Sequence, residues 1–358
     1  MSRPDLRHGR GAPENRTPAR FNLPVREADG DWLDAREDLD GGPPPLRTTV
    51  TVEKPRSIIS RNTSPDIGFD RSVNPYRGCE HGCIYCFARP THAFHDLSPG
   101  LDFETRLFAK PDAAILLRAE LAQPGYEVRP IALGTNTDPY QPIEADWRIT
   151  RSVLEVLAET KHPFTITTKS DRVVGDVDIV SRMAAEGMAS VAMSITSLDP
   201  RISRTLEPRA PAARKRLAAV KALSEAGVPV TAAIAPVVPG ITDHELEQIV
   251  EAAAEAGARG VFFLPVRLPH EVAPLFRAWL EEHFPDRAAK VMNTIHSMRG
   301  GKDNDPNWFS RLRGSGPWAE LMRTRLEIAA RKHGLSQDKV PLRCDLFVPP
   351  QGPQLRLL

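Results

Sequence analysis

Three of the four cysteines in this 358-residue chain lie within eight residues, in the segment RSVNPYRGCEHGCIYCFARP at positions 71–90. Their spacing is Cys79-x3-Cys83-x2-Cys86, and a glycine precedes each of the first two. Three thiolates on one short loop suit three corners of a cubic [4Fe–4S] cluster, which leaves the fourth iron free for an amine and a carboxylate of an exogenous ligand. Glycine permits the unusual φ angles and the close backbone approach that such a loop needs.

Zinc is the alternative metal for the same loop. A structural zinc site usually has four protein ligands, and His81, His92 or His95 could supply the fourth. The chain contains no second pair of closely spaced cysteines, which zinc sites commonly use. We therefore favour an iron–sulfur cluster, and we keep a zinc- or cluster-stabilised binding module without enzyme activity as an alternative.

Composition limits the class of protein. The formal net charge is +1 and 41% of the residues are hydrophobic, which suits one large α/β domain with appendages, or two domains. No apolar run reaches the roughly 18 residues that a membrane span needs, and the charged, proline-rich N-terminus lacks the apolar core of a signal peptide. We predict a cytoplasmic protein with no membrane partner, a setting in which clustered cysteines indicate metal binding or catalysis.

Strand-like and helix-like patterns alternate from residue 69 onwards. Because this rhythm is typical of parallel sheets, we predict an α/β fold, a partial (β/α)6 TIM-like barrel with a helical C-terminal extension. Such a fold carries its site at the carboxyl ends of the strands. The predicted strands lie near 70–75 and at 128–135, 163–170, 189–196, 228–236 and 258–266.

Four segments follow from this pattern. Residues 1–55 are poor in apolar residues and rich in Pro, Arg, Asp and Gly, and we predict that they are disordered. The catalytic core is predicted at 56–270, the helical extension at 271–340 and an extended tail at 341–358.

The cysteine loop and several further words resemble the radical S-adenosylmethionine (SAM) superfamily. The words are NPYRGCEHGCIYC, GTNTDPYQPIE, TITTKS and the run from VAMSITSLD to APVVPGITD. Within the superfamily they resemble the spore photoproduct lyase-related group, also called DNA repair photolyase-like, over roughly residues 68–335. The resemblance implies a lyase- or transferase-like enzyme with a [4Fe–4S] cluster on Cys79, Cys83 and Cys86. It also implies an electron donor such as flavodoxin or ferredoxin, reductive cleavage of SAM, and hydrogen abstraction by a 5′-deoxyadenosyl radical.

The resemblance also implies which residues hold SAM. An aromatic residue at position 85 packs near the adenine, and the polar turn after the second strand holds the methionine amino group. The TKS word indicates that a lysine contacts SAM, and the end of the fourth strand is a similar candidate. The predicted SAM-binding residues are Tyr85, Gly134, Thr135, Asn136, Lys169 and Ser194. An aromatic that shields the cluster, a plain turn and an exposed lysine remain the alternatives.

Two residues are candidates for catalysis. In the lyase, a cysteine near the segment after the second strand returns a hydrogen atom to the product, whereas GTNTDPYQP has none. Tyr140 lies in that segment and could donate a hydrogen atom. Cys344 could do so only if the tail folds back over the mouth of the barrel. The missing cysteine weakens the case for a thymine photodimer as substrate.

Nucleic acid is the predicted partner and substrate class, and a protein or a small molecule is the alternative. The stretch 307–325 interleaves aromatic residues with arginines, which together can hold phosphates and stack bases. These residues are Trp308, Phe309, Trp318, Arg311, Arg313, Arg323 and Arg325. Trp318, Leu321 and Leu326 equally fit the buried stripe of a helix.

The last five residues, Gln354–Leu358 (QLRLL), resemble the short peptide with which bacterial repair proteins dock on the sliding clamp. An extended peptide with two apolar anchors can fill a hydrophobic groove. The usual peptide ends in Leu-Phe, and this one ends in Leu-Leu.

Overall fold

The computed structural model describes residues 9–18 and 46–350. Its larger sheet has seven strands and its smaller sheet has three. Numbered along the chain, the strands are β1 (Thr49–Val52), β2 (Ile59–Arg61), β3 (Arg71–Val73), β4 (Tyr76–Arg77), β5 (Arg106–Ala109), β6 (Ile131–Leu133), β7 (Phe164–Thr168), β8 (Ala189–Ser194), β9 (Val230–Val237) and β10 (Gly260–Pro265).

Six strands of the larger sheet are parallel and follow chain order. β3, β6, β7, β8, β9 and β10 pair in that sequence, and β2 is antiparallel to β3. Val73 lies opposite Leu133 and Leu133 opposite Ile166, and all three are buried because helices cover the sheet. No described strand joins β10 to the other edge, so the sheet is open. The predicted α/β fold, a partial barrel of six parallel strands, is confirmed.

Amphipathic helices connect the strands, and a helical extension follows β10. The helices are α1 (Asp102–Thr105), α2 (Ala113–Leu121), α3 (Glu144–Trp147), α4 (Ile149–Glu159), α5 (Val177–Ala185), α6 (Pro200–Leu206), α7 (Ala213–Glu225), α8 (Leu246–Glu255), α9 (Val272–His283), α10 (Pro285–Met298), α11 (Ser310–Arg313) and α12 (Gly316–Lys332). Short 3₁₀ helices lie at Arg89–His95, Asp171–Asp176 and Asp243–Glu245. None of these helices is long and apolar enough to cross a membrane.

Two apolar clusters support the sheet and the cysteine loop. The larger cluster surrounds the strands and includes Met322 and Leu326 of α12. The second cluster joins the loop residues Ile84 and Tyr85 to side chains of α9 and α10, such as Phe276. The extension therefore packs directly against the cysteine loop.

Parts of the segment 1–55 are ordered, in contrast to the prediction. Residues 9–18 lie against the cysteine loop, and β1 pairs in parallel with β5. Composition did not reveal this order because it does not report which distant residues the backbone N–H groups of Gly11 and Ala12 and the side chains of Arg10 and Asn15 contact. Residues 1–8 and 19–45 lie outside the described ranges.

The C-terminal tail runs along the sheet edge where the strands begin. The Arg343 N–H donates to the Gly187 carbonyl, just before β8, and the Val348 N–H donates to the Thr160 carbonyl, just before β7. Residues 341–350 contain neither helix nor strand. The predicted clamp peptide, Gln354–Leu358, lies outside the described residues, and the sliding clamp has no support.

Leu154 and Leu321 offer a matched test of this core. Leu154 is fully buried on α4, whereas Leu321 on α12 is 55% exposed. We expect Leu154→Ala to lower the free energy of unfolding by about 2–5 kcal/mol through lost burial and a residual cavity. Leu321→Ala should change it by less than about 0.5 kcal/mol. Urea titration measures both, and equal effects would contradict the described packing of α4.

Candidate active site

The cysteine loop follows β4, which pairs with β5 of the smaller sheet. Gly78 and Gly82 have φ angles of +71° and +67°, a region that L-residues rarely adopt. A Cβ on Gly78 would lie 2.8 Å from the Phe103 carbonyl oxygen, and one on Gly82 would lie 2.7 Å from Glu104 Oε2. Both glycines are therefore needed for the fold of the loop, as the sequence predicted.

All five N–H donors of the Arg89 side chain form hydrogen bonds that support the cysteine loop. The guanidinium is fully buried. Its acceptors are the carbonyl oxygens of Gly82 (3.0 Å), Cys83 (2.9 Å), Pro99 (3.0 Å) and Gly100 (3.0 Å) and the carboxylate of Glu104 (2.5 Å). A carbonyl oxygen that accepts from a planar, fixed guanidinium has its hydrogen bond satisfied and its orientation fixed. The backbone around Cys83 thus has a single stable arrangement.

Gln141 holds the first turn of the loop. Its side-chain nitrogen donates to the Gly78 carbonyl at 3.1 Å, and its side-chain oxygen accepts the Glu80 N–H at 3.0 Å. The side chain is fully buried. Arg89 and Gln141 were missed by the sequence analysis, and the available signal was the position of Gln141 in the GTNTDPYQPIE word.

A buried charged cluster lies behind Tyr85. The Tyr85 hydroxyl and the Arg216 guanidinium both donate to the Glu207 carboxylate, and Thr196 Oγ1 donates to it at 2.7 Å. The Lys169 ammonium lies 5.8 Å from the centre of the Tyr85 ring. The structure therefore brings the predicted residues Tyr85 and Lys169 together, around an acid that the sequence analysis did not identify.

The charges of this cluster stabilise one another. Burial alone would raise the pKa of Glu207, but Arg216 and Lys169 lower it to about 2. Burial likewise opposes the charge on Lys169, yet Glu207, Cys83 and Asp138 raise the pKa of Lys169 above its ordinary value. Glu207 thus keeps Lys169 charged in a site with little water.

The polar turn after β6 is held at the same edge of the sheet. Gly134 has a φ of +84°, and a Cβ there would lie 1.9 Å from the Thr167 carbonyl oxygen. Asn74 Oδ1 accepts from the Asn136 N–H at 3.1 Å and from Thr135 Oγ1 at 3.5 Å. Gly134, Thr135 and Asn136 therefore lie beside the residues that lead into the cysteine loop.

Asp138 links this turn to β7 and to the cysteine loop. Its carboxylate accepts from Thr168 Oγ1 at 2.6 Å and from the Lys169 N–H at 2.7 Å, and it lies 3.4 Å from His81 Nδ1. Burial would raise the pKa of Asp138, but His81 and these hydrogen bonds lower it to about 2. The carboxylate thus fixes the position of the Lys169 backbone.

Some polar groups at the carboxyl edge have no hydrogen-bond partner within residues 9–18 and 46–350, and two of them belong to predicted SAM-binding residues. They are the Lys169 ammonium, just after β7, and the Ser194 hydroxyl, at the end of β8. The Ser194 carbonyl, by contrast, accepts from Arg216 at 3.0 Å. Polar groups with free capacity at this edge are what a bound ligand requires.

Tyr140 is buried in the larger apolar cluster. Its hydroxyl donates to Asp176 Oδ2 at 2.9 Å, and burial together with this carboxylate raises the pKa of Tyr140 well above its usual range. No described contact joins this hydroxyl to Lys169 or Ser194. A role for Tyr140 as hydrogen donor stays a prediction, and the contact with Asp176 gives it a structural role.

Cys344 lies at the opposite edge of the sheet from the cysteine loop. Its neighbour Arg343 bonds to the backbone just before β8, as described above. Parallel strands have all their carboxyl ends at one edge, and the five residues of β7 separate the two edges by roughly 16 Å. The tail therefore does not bring Cys344 over the mouth of the barrel, which was the condition for a role of Cys344 in catalysis.

The three histidines named as possible zinc ligands have other neighbours, and His81 lies beside Asp138. His92 Nε2 lies 2.9 Å from the Arg106 carbonyl oxygen, and burial lowers the pKa of His92 to about 4. His95 packs on the Phe108 ring. In the part of the chain that the structure describes, no group of three or more His, Cys, Asp or Glu side chains is placed around one metal ion. A cubane does not need such convergence, because each thiolate binds a different iron.

Comparison with known sequences identifies one matching family and similar proteins from other organisms. The Radical SAM superfamily profile matches residues 73–253. An uncharacterized protein of Mycobacterium tuberculosis is 37% identical over 275 residues, which cover 76% of this chain and 77% of the relative. An uncharacterized protein of Methanocaldococcus jannaschii is 26% identical and covers 69% of this chain and 89% of the relative.

Solved structures share the architecture. Spore photoproduct lyase complexed with dinucleoside spore photoproduct has a TM-score of 0.55 at 14% identity, over 80% of each chain. A mutant of the same lyase with dinucleoside spore photoproduct has a TM-score of 0.56 and covers 89% of this chain and 88% of that one. At this identity the likeness concerns the fold. With the profile match over half of its length and the 37% identical relative, the chain belongs to the radical SAM superfamily.

Proposed function

We propose that this radical SAM enzyme acts on a nucleic-acid base and holds its [4Fe–4S] cluster with Cys79, Cys83 and Cys86. Membership of the superfamily implies the cluster, SAM and an external electron donor, for which flavodoxin or ferredoxin is suitable. When bound, the cluster and SAM supply reductive cleavage of SAM and a radical that abstracts a hydrogen atom from the substrate. The chain's own residues bind and orient these partners and exclude water.

The observation that carries the proposal is a cysteine loop held in shape at the carboxyl edge of a parallel sheet. Two positive-φ glycines, Arg89 and Gln141 fix its backbone. Burial raises the pKa of the Cys83 thiol to about 12, which favours the protonated thiol in the metal-free protein, and a bound metal would favour the thiolate. The donor set of three cysteines on one rigid loop fits a cluster with one open iron.

The residues beside the loop suit SAM. Among the residues that the structure describes, neither the Lys169 ammonium nor the Ser194 hydroxyl has a hydrogen-bond partner, so Lys169 can donate to the carboxylate of SAM and Ser194 can bind one of its polar groups. Thr135 and Asn136 offer oxygen acceptors for the amino group. Tyr85 offers an aromatic face, although its hydroxyl is already engaged with Glu207.

Nucleic acid is favoured as substrate by an aromatic and cationic rim. Phe87 directly follows Cys86 and is 46% exposed, and the Arg267 guanidinium lies 4.7 Å from the centre of its ring. Arg267 follows β10, at the same sheet edge, and within the described ranges it forms no hydrogen bond or ion pair. An unpaired guanidinium on an exposed aromatic ring suits a phosphate with a neighbouring base.

The stretch 307–325 contributes less than the sequence predicted. Arg311 forms a two-point ion pair with Asp66, and Arg325 forms one with Glu247. Trp318 packs against the core and donates to Asp243 at 3.1 Å. Trp308 and Phe309 remain as exposed rings, at 57% and 52%. Base stacking is therefore proposed for these two rings and not for Trp318.

Anaerobic reconstitution tests the assignment of the cluster. We expect about four irons per chain and release of 5′-deoxyadenosine after reduction with SAM. Cys83→Ala should lose both, whereas the matched variant Cys344→Ala should keep both, because Cys344 lies at the far edge of the sheet. Zinc in place of iron, or full activity of Cys83→Ala, would overturn the proposal.

Added damaged single-stranded DNA should increase SAM cleavage if a base is the substrate, and no response would favour a protein or a small molecule.

Glu207→Gln tests the charged cluster. The pKa of Glu207 falls from 4.5 to about 2 on folding, so its charge contributes stability above pH 4.5 that disappears as the pH falls toward 2. We expect the variant to unfold about 3 kcal/mol more easily at pH 7, with the difference shrinking between pH 4.5 and 2. Urea titrations over this range measure it. The exposed control Glu251→Gln should show no such pH dependence, and a constant difference for Glu207→Gln would contradict this account.

Arg267→Gln tests the rim. Binding of a fluorescent single-stranded oligonucleotide should weaken, and the slope of log affinity against log salt should fall by about 0.7 if one phosphate contact is lost. The control Arg182→Gln removes the same charge from the exposed surface of α5 and should leave the slope unchanged. Equal slopes for Arg267→Gln and wild type would exclude a phosphate contact at Arg267.

A further inference from the structure

A segment near the N-terminus is built into the support of the cysteine loop. Residues 9–18, called the N-terminal strap below, cross the loop that contains Cys79, Cys83 and Cys86. Arg10 donates to the Glu104 carbonyl at 2.9 Å, to the Leu46 carbonyl at 2.8 Å and to Thr48 Oγ1 at 3.2 Å. The strap therefore starts with a side chain that fastens it to two other segments.

The next two residues bind the acid that holds Arg89. The Gly11 and Ala12 N–H groups donate to the two oxygens of the Glu104 carboxylate, at 2.9 and 2.8 Å. The same carboxylate accepts from Arg89 at 2.5 Å. It is completely buried, so the strap supplies two of the hydrogen bonds that this charge needs away from water.

Gly11 also touches the loop itself. A Cβ on Gly11 would lie 1.8 Å from the Gly82 carbonyl oxygen, the same oxygen that accepts from Arg89. No side chain fits in this gap. Ala12 is buried in the second apolar cluster with Cys83, Ile84 and Tyr85. The strap thus contacts the loop by close packing and through one shared acid.

The far half of the strap is fixed to the segment before α1. Asn15 and Asp102 exchange two hydrogen bonds, at 3.0 and 2.9 Å. Ser98 does the same with the backbone of Arg16, at 2.8 and 3.0 Å. Four hydrogen bonds at this end show that the strap has one defined path and does not merely rest on the loop.

We propose that the N-terminal strap is a positioning element for the cysteine loop, and that it holds the loop in its cluster-binding shape before any metal arrives. The path of the effect is from Gly11 and Ala12 to Glu104, from Glu104 to Arg89, and from Arg89 to the carbonyls of Gly82 and Cys83. Without the strap, Glu104 lacks two donors and Arg89 loses its fixed counterion. The order of the loop is independent of the proposed function, and only its consequence for iron binding rests on it.

Thiol reactivity of the iron-free protein tests the proposal. The reduced, full-length chain is alkylated under native conditions, and mass spectrometry follows each cysteine separately. In Gly11→Ala we expect Cys79, Cys83 and Cys86 to react about tenfold faster than in wild type, because hydrogen bonds to a buried charge are lost. Cys344 at the other edge of the sheet is the internal reference and should keep its rate.

Two further variants make the result specific. Gly175→Ala places the same methyl group on an exposed glycine whose Cβ meets nothing within 4 Å, and it should behave as wild type. Arg10→Ala removes three hydrogen bonds of the strap without a clash, and it should accelerate the same three cysteines if Gly11→Ala does not fold. Equal acceleration of all four cysteines would overturn the proposal, because it reports global loosening. Unchanged rates at the loop would overturn it as well.

Iron retention separates this proposal from the proposed function. Reconstituted Gly11→Ala should lose iron to a chelator faster than wild type and Gly175→Ala. If wild type takes up no iron while the loop thiols still react faster in Gly11→Ala, the positioning role of the strap is supported and the cluster assignment is contradicted. If wild type holds a cluster and the thiol rates do not change, the positioning role of the strap is contradicted and the cluster assignment is supported.

Discussion

The cysteine loop depends on one buried ion pair, between Arg89 and Glu104. Neither side chain has access to water, so each must satisfy every donor and acceptor within the protein. Arg89 does so by binding four backbone carbonyls of the loop region, and Glu104 does so by binding the strap. An unpaired charge in this buried position costs far more free energy than the ion pair does. The cysteine loop, the Glu104 carboxylate and the strap are therefore stable only in the arrangement that satisfies both charges.

The parallel sheet places the chemistry at one edge. The cysteine loop, the turn at Gly134, Lys169, Ser194 and Arg267 come from five different strand ends, yet parallel strands bring all of them to the same side. The opposite edge receives the tail and its cysteine. A residue's role in this fold is thus set first by which end of its strand it follows.

Local patterns were sufficient to predict the fold and to single out the cysteine loop. The six strands were predictable because each is a short apolar run between amphipathic helices, and the cysteines because their spacing within one loop is itself the signal. Glu207 and Arg216 were not predicted, since burial of a charged pair leaves no mark in the local sequence. Gln141 lies in the GTNTDPYQPIE word, but its contact with Gly78 joins residues 63 positions apart and so was not visible from local patterns. The strap was missed because its backbone and side-chain groups bind residues far away in the chain, and its own composition is polar.

The net charge of the chain likewise does not reveal the local distribution of charge around β10. A formal charge of +1 over the whole chain gives no reason to expect a polyanion. Around β10, however, Arg267, Arg299 and Arg311 lie near one another, and Asp66 is already bound in full to Arg311 and the Phe309 N–H. Arg299 forms four hydrogen bonds with backbone carbonyls, its Nε–H has no partner within the described residues, and Asp305 lies near enough to stabilise its charge. Within the described residues Arg267 therefore has no carboxylate in ion-pair contact, and it lies close enough to Cys86 for their charges to interact.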